Sequence, residues 1–197
     1  MGALKDRQEG FAGLKAALGA RSVVLVGMPG SGKSSVGRRL AQRLGSDFVD
    51  ADSKIEEAAN GMSIADIFSK HGEPEFRALE ARVIARLLES GQSVIATGGG
   101  AFMNAETRRK VAEHAVSVWL SAEIPLLLER VKRKGNRPLL RVDDPEAALR
   151  KLLSKREADY ARADITVVSR DIPHEEVVDT IVEALVEYLD VEVASTK

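Results

Sequence analysis

Residues 27–34, Gly-Met-Pro-Gly-Ser-Gly-Lys-Ser, match G-x-x-x-x-G-K-[ST], the spacing of a phosphate-cradling loop. Glycines let successive backbone N–H groups turn inward around an anion, and a helix N-terminus behind them adds a favourable dipole. Lys33 is placed to neutralise the β- and γ-phosphates of a nucleotide, and Ser34 to offer its hydroxyl to Mg²⁺. The motif needs a buried strand before it and a helix after it. Ser22–Val26 is a short apolar run, and Lys33–Leu44 has a helical pattern stopped by Gly45. An incidental glycine turn would require neither. Gly30, Ser31, Gly32, Lys33, Ser34 and Ser35 are therefore the expected ATP-binding residues.

Asp50 and Asp52 follow at the end of the next strand. Two residues apart on an extended chain, their side chains would point the same way. One carboxylate can hold Mg²⁺ directly or through water, and the other can take a proton from an attacking hydroxyl. A plainer role exists for Asp52, as the cap of a helix over the following residues. Arg156 is informative in another way. In a helix running from Pro145 to about Ala161, the apolar stripe reads Leu149, Leu152, Leu153, then Arg156, then Tyr160. An arginine on an inward stripe needs an anionic partner, such as a bound carboxylate, or else snorkels to the edge. Arg77 lies one turn from Glu80, where the two can pair, and an exposed intrahelical ion pair would look the same. Gly98, Gly99 and Gly100 either make a sharp turn or let a flat ring approach the backbone. Arg137 sits beside Pro138 in a stretch of lid-like length.

The elements that must position these groups alternate between strand-like and helix-like segments, as in a parallel α/β sheet. Five strands are expected: Ser22–Val26, Phe48–Val49, Ser93–Thr97, Ala115–Leu120 and Ile165–Val168. Helices are expected at 4–18, 33–44, about 123–134, 145–161 and 175–188. Residues 53–90 carry no strand-like run and read as two or three helices broken at Asn60-Gly61 and Gly72-Glu73-Pro74. The organisation that follows is an accessory helix in 1–20, one domain over 21–189 and a fraying tail over 190–197.

Composition narrows the function classes. The 29 basic and 30 acidic side chains leave a formal charge of −1, which argues against binding nucleic acid or a membrane by bulk charge. There is no cysteine, and the three histidines are far apart, so thiolate and clustered-imidazole metal sites are excluded. No apolar run approaches the roughly 20 residues that span a bilayer, and no signal-peptide stretch opens the chain. A cytoplasmic protein is expected. Neither Asn-Lys-x-Asp nor Asp-x-x-Gly occurs, which argues against a GTPase switch.

Taken in order, the P-loop, Asp50-Ala-Asp52, 61–68 (Gly-Met-Ser-Ile-Ala-Asp-Ile-Phe), 72–80 (Gly-Glu-Pro-Glu-Phe-Arg-Ala-Leu-Glu), Gly98–Ala101, Arg137-Pro-Leu-Leu140 and Lys155-Arg156 resemble the shikimate kinase family. These stretches span about residues 21–189. The resemblance implies a three-layer α/β fold of P-loop kinase type, a five-stranded parallel sheet with helices on both faces. It implies a substrate-binding subdomain over about 51–80 and a lid over about 134–147. By family pattern Asp52 contacts the hydroxyl to be phosphorylated and acts as base, and Asp50 sits in the outer Mg²⁺ shell. Arg77 and Arg156 hold the shikimate carboxylate, with the Gly98–Gly100 backbone alongside and Glu80 steadying Arg77. Arg137 swings in with the lid. Arg130 or Arg133 and the segment near Arg170–Pro173 flank the adenine. The implied activity is ATP-dependent phosphorylation of the shikimate 3-hydroxyl by a monomer. A sugar acid such as gluconate is the alternative acceptor, and a nucleotide-dependent binding module the alternative to an enzyme.

Overall fold

The computed structural model describes residues 13–133 and 143–190. Five strands, β1 (Ser22–Val26), β2 (Asp47–Asp50), β3 (Ser93–Ala96), β4 (Ala115–Ser121) and β5 (Ile165–Val168), form one sheet in the order β2-β3-β1-β4-β5. Every pairing is parallel, as expected. All of β1 is buried. Val23 and Leu25 point into the core on one face of the sheet, Val24 and Val26 into the core on the other. A central strand covered on both sides has no polar face, which is why its sequence is a continuous apolar run.

On one face lie α1 (13–18), α2 (Lys33–Leu44) and α9 (His174–Tyr188), which contribute Leu14, Leu18, Val36, Leu40, Val178 and Ile181 to a shared core. The other face is covered by α4 (Ile64–Glu89), α5 (Ala105–His114), α6 (Ile124–Arg133), α7 (Pro145–Ser154) and α8 (Glu157–Tyr160). A satellite cluster of Ile55, Ile67, Phe76 and Val83 joins α3 (Ala51–Ala58) to α4 outside the sheet. The three-layer architecture is thus present, with α3 and α4 sharing a small core of their own.

The described part of the N-terminal helix packs against the domain, with Leu14 and Leu18 buried in the main core. Residues 1–12 lie outside the described residues, as do 134–142 of the expected lid and 191–197 of the tail. Three expectations change in detail. Helix α5 was not anticipated; Asn104 caps it by accepting from Glu106 and Thr107 N–H at 2.8 and 3.1 Å. The helix expected over 145–161 is two helices, α7 and α8. Between them Arg156 N–H bonds Leu153 O at 2.8 Å, a tightened i−3 turn that ends the α-helical ladder. Lastly, Asp52 is not on the strand but in the first turn of α3. The cap there is Asp50, whose Oδ1 accepts from Asp52 N–H at 3.1 Å. The break read at Gly72-Glu73-Pro74 is real: Gly72 takes φ 81°, ψ 171° and divides α4 into two helical runs.

Candidate active site

The chain leaves central β1 for β2 on one side and later passes from β3 to β4 on the other. This reversal opens a crevice beyond the strand C-termini, where ligands of such sheets collect. The 27–34 loop fills that crevice. Gly27 has φ 140°, and a Cβ there would come within 2.6 Å of the Leu120 carbonyl oxygen, so glycine is required. Helix α2 begins at Gly32 with no side-chain cap and no acidic residue in its first turn. Its leading N–H groups are therefore left to an anion. Lys33 Nζ donates to the carbonyls of Gly27 and Met28 at 2.9 Å each, which holds it folded across the loop.

Around the loop is a cleft of about 270 Å³ lined by Gly30, Gly32, Lys33, Ser34, Ser35, Asp50, Asp52, Gly98, Gly99 and Arg133, all predicted from sequence. Pro29, Thr97, Arg130 and His174 line it as well. Ser31 is fully buried within the loop, and among the described residues its hydroxyl has no hydrogen-bond partner. Ser34 Oγ donates to Asp50 Oδ2 at 2.8 Å, so hydroxyl and carboxylate oxygens stand together at the phosphate end. Among the described residues no three His, Cys, Asp or Glu side chains cluster to hold a metal by themselves. One or two hard oxygens fit Mg²⁺, which takes the rest of its octahedron from phosphates and water.

The three glycines after β3 organise a cluster beside the cleft: Gly98 and Gly99 line it, whereas Gly100, Arg77, Glu80 and Arg156 do not. A Cβ on Gly98 would lie 2.8 Å from Asp52 Oδ1 and 3.0 Å from Glu80 Oε1. On Gly99 it would lie 3.2 Å from Arg156 Nη1, and on Gly100 2.5 Å from Arg77 Nη1. Three consecutive residues therefore meet four of the predicted polar groups, Gly98 two of them and Gly99 and Gly100 one each, and any side chain on the turn would crowd them. Arg77 Nη1 donates to Glu80 Oε2 at 2.7 Å and Nη2 to Glu73 Oε1 at 3.1 Å. Arg156 Nη1 donates to Gly99 O at 2.9 Å, and Tyr160 Oη donates to the same oxygen at 2.5 Å.

The Arg77–Glu80 pair is not the exposed pair that its spacing alone allows. The Glu80 side chain is 4% exposed and that of Arg77 29%. Burial pushes the Glu80 carboxyl above its ordinary value, even against Arg77, and neighbouring Asp52 adds to the rise. Burial also works against the Arg77 charge, but Glu80 and Glu73 outweigh it and hold the guanidinium above its usual value. Desolvation thus falls mainly on the sealed end of the pair.

On the α6 side Arg130 donates to Ser169 Oγ at 2.9 Å and to Arg170 O at 2.8 Å, tying α6 to the 169–173 segment. Arg133 reaches the cleft while paired with Glu129. Pro173 occupies the N-cap of α9, and its neighbour His174 rather than Pro173 lines the cleft. Arg137 lies outside the described residues. Sequence reasoning missed Thr97, which donates to Leu25 O at 3.0 Å, and His174. Thr97 stands directly before the triple glycine and so carried a positional signal; His174 carried none.

The family model for shikimate kinase matches residues 29–186. A shikimate kinase of Rhodopseudomonas palustris is 58% identical over 88% of this chain and 85% of its own length. One of Mesorhizobium japonicum is 48% identical over 95% of this chain and 93% of its own length. Among solved structures, the shikimate kinase of Acinetobacter baumannii in complex with shikimate superposes with a TM-score of 0.82. It is 36% identical and covers 88% of this chain and 97% of its own. A P-loop lining the cleft, and a glycine turn beside it met by two carboxylates and two guanidinium groups, are matched by kinship over nearly the whole chain, which belongs to the shikimate kinase family.

Proposed function

We propose that this chain transfers the γ-phosphoryl group of ATP to the 3-hydroxyl of shikimate, releasing ADP and shikimate 3-phosphate. The observation that carries the reading is the Gly98–Gly100 turn, whose three residues meet Asp52 with Glu80, Arg156 and Arg77 in succession. A small acid lying on this side-chain-free turn has two guanidinium groups for its carboxylate and Asp52 for a ring hydroxyl. Arg77 and Arg156 bind the carboxylate, and Glu80 holds Arg77 in place. Arginine suits this work because its planar fork matches a carboxylate.

In the transfer, Asp52 accepts the proton of the 3-hydroxyl as that oxygen forms its bond to the γ-phosphorus. The bond from phosphorus to the β,γ-bridging oxygen breaks, and its electrons leave with ADP. The P-loop N–H groups and Lys33 hold the β- and γ-phosphates in line, so the protein supplies position and charge rather than covalent chemistry. Ser34 would hold Mg²⁺ through its hydroxyl and Asp50 through water, and the ion would supply neutralisation of phosphate charge. Arg130, Arg133 and the segment ending at Pro173 flank the adenine. Arg137 completes the site from a lid over about 134–147 that excludes water. The protein works as a cytoplasmic monomer, with a substrate-binding subdomain over about 51–80; among the described residues no helix is long and apolar enough to cross a membrane.

Phosphorus NMR of a mixture with Mg·ATP and shikimate tests the chemistry. ADP should appear together with one phosphomonoester resonance coupled to the proton on C3. Inorganic phosphate as the only other product would overturn the reading.

A further inference from the structure

Tyr160 closes α8, one turn after Arg156 opens it, which puts both side chains on the same side of the chain. It is fully buried, and its ring stacks on Trp119 with centroids 5.8 Å apart. Ring packing accounts for an aromatic residue here, and a phenylalanine would serve it equally. The hydroxyl has a more particular position. It donates at 2.5 Å to the Gly99 carbonyl, the same oxygen that Arg156 Nη1 reaches at 2.9 Å. The phenol also faces the Arg156 guanidinium closely enough to feel its charge.

Gly99 has no side chain, so nothing on the residue itself fixes the plane of the peptide that Arg156 uses as its anchor. A glycine in mid-turn is the least restrained point of a backbone. Arg156 carries one of the most rotatable side chains, and freezing it costs conformational entropy. Two donors on one carbonyl remove the freedom of both partners at once. Because the peptide is planar and trans, holding the Gly99 oxygen also fixes the N–H of Gly100, the residue against which Arg77 packs. One buried hydroxyl thus reaches both guanidinium groups of the acceptor end.

We infer that Tyr160 is a positioning residue of the acceptor site, its hydroxyl locking the Gly99 carbonyl and through it the Arg156 guanidinium that receives the acceptor carboxylate. The inference rests on shikimate being the acceptor held by Arg156. It separates the tyrosine's two roles, the ring for packing and the oxygen for acceptor affinity.

Steady-state kinetics of the wild type, Tyr160→Phe, Arg156→Ala and the double variant test it. Tyr160→Phe keeps the ring, so its melting temperature should stay within a few degrees of wild type. Its KM for shikimate should rise about five-fold or more, as expected for losing a buried hydrogen bond, while kcat and the KM for ATP stay within about two-fold. In the Arg156→Ala background the same replacement should change kcat/KM for shikimate by less than about two-fold, since the group it positions is gone. An unchanged KM in Tyr160→Phe overturns the inference. So does an equal rise in both KM values, or an undiminished effect without Arg156. A Tyr160→Phe protein that does not fold would make the hydroxyl structural and overturn it too. A wild type without shikimate-dependent turnover would instead remove the acceptor reading, and this inference with it.

Discussion

Glu80 brings a carboxylate to a place where only 4% of its side chain meets water, and it does so next to Asp52 as well as Arg77. Its pKa is raised in the fold, so the folded protein binds this proton more readily than the unfolded chain does. The associated stability is full below the unfolded-state pKa and is lost as pH rises through the folded value. Glu80→Gln removes this titration. Urea midpoints of the two proteins between pH 4 and 7 should shift steadily in the variant's favour as pH rises; a constant gap, or one moving towards wild type, would refute the direction. Asp52 is assigned the proton of the acceptor hydroxyl. Asp52→Asn should lower kcat by about 10²- to 10⁴-fold while ATP affinity, measured by calorimetry, stays close to wild type. A kcat equal to wild type would end the assignment. Most of these groups were legible in the sequence because their spacing is local: the P-loop is contiguous, Arg77 and Glu80 are one turn apart, and Asp50 and Asp52 straddle one residue. The geometry behind Asp52 was misjudged, since the chain turns helical at Ala51 and the two carboxylates converge through a cap rather than through strand alternation. The link from Tyr160 to Gly99 spans 61 residues and left no local trace.

Elements were readable where they carry an apolar pattern and less so where they do not. The five strands and helices α2 and α9 fall within a residue or two of expectation, and outside β2, which has no fully buried residue, most of their buried positions are apolar. Helix α5 buries only Thr107 and Val111, so no stripe marks it, and its Asn104 cap was the one signal. The break between α7 and α8 is a tertiary effect: the side chains of Arg156 and Tyr160 are drawn to Gly99, while Leu149 remains buried as the stripe required. Helix α1 shows the opposite case, a readable helix whose role was open until its contacts were known. Leu14 is fully buried against the α2–α9 face. Leu14→Ala should cost about 2–5 kcal/mol of stability, the usual range for such a cavity, with both KM values unchanged, because α1 lies in the core rather than at the cleft. Chemical denaturation and kinetics on one preparation check both halves; a loss below about 0.5 kcal/mol would place α1 outside the cooperative core.

At the scale of the whole molecule, strand order converts scattered motifs into one cleft. Residues from 27–35, 50–52, 97–99, 130–133 and 174 meet because β1 sits between β3 and β4, and parallel strands deliver all their C-terminal loops to one edge. Parallel strands joined by helices were legible from the alternation of patterns, whereas their left-to-right order was not, since it depends on crossovers that leave no periodicity. The near-neutral net charge fits this picture, because the cations proposed to meet the substrates, Lys33, Arg77 and Arg156, are placed singly rather than as a basic surface patch. The activity proposed for this cleft couples ATP consumption to shikimate. ADP release by the purified chain should be measured with Mg·ATP alone, with shikimate and with gluconate. Shikimate should stimulate release strongly and gluconate not at all; equal rates in all three mixtures, or stimulation by gluconate, would overturn the proposed activity.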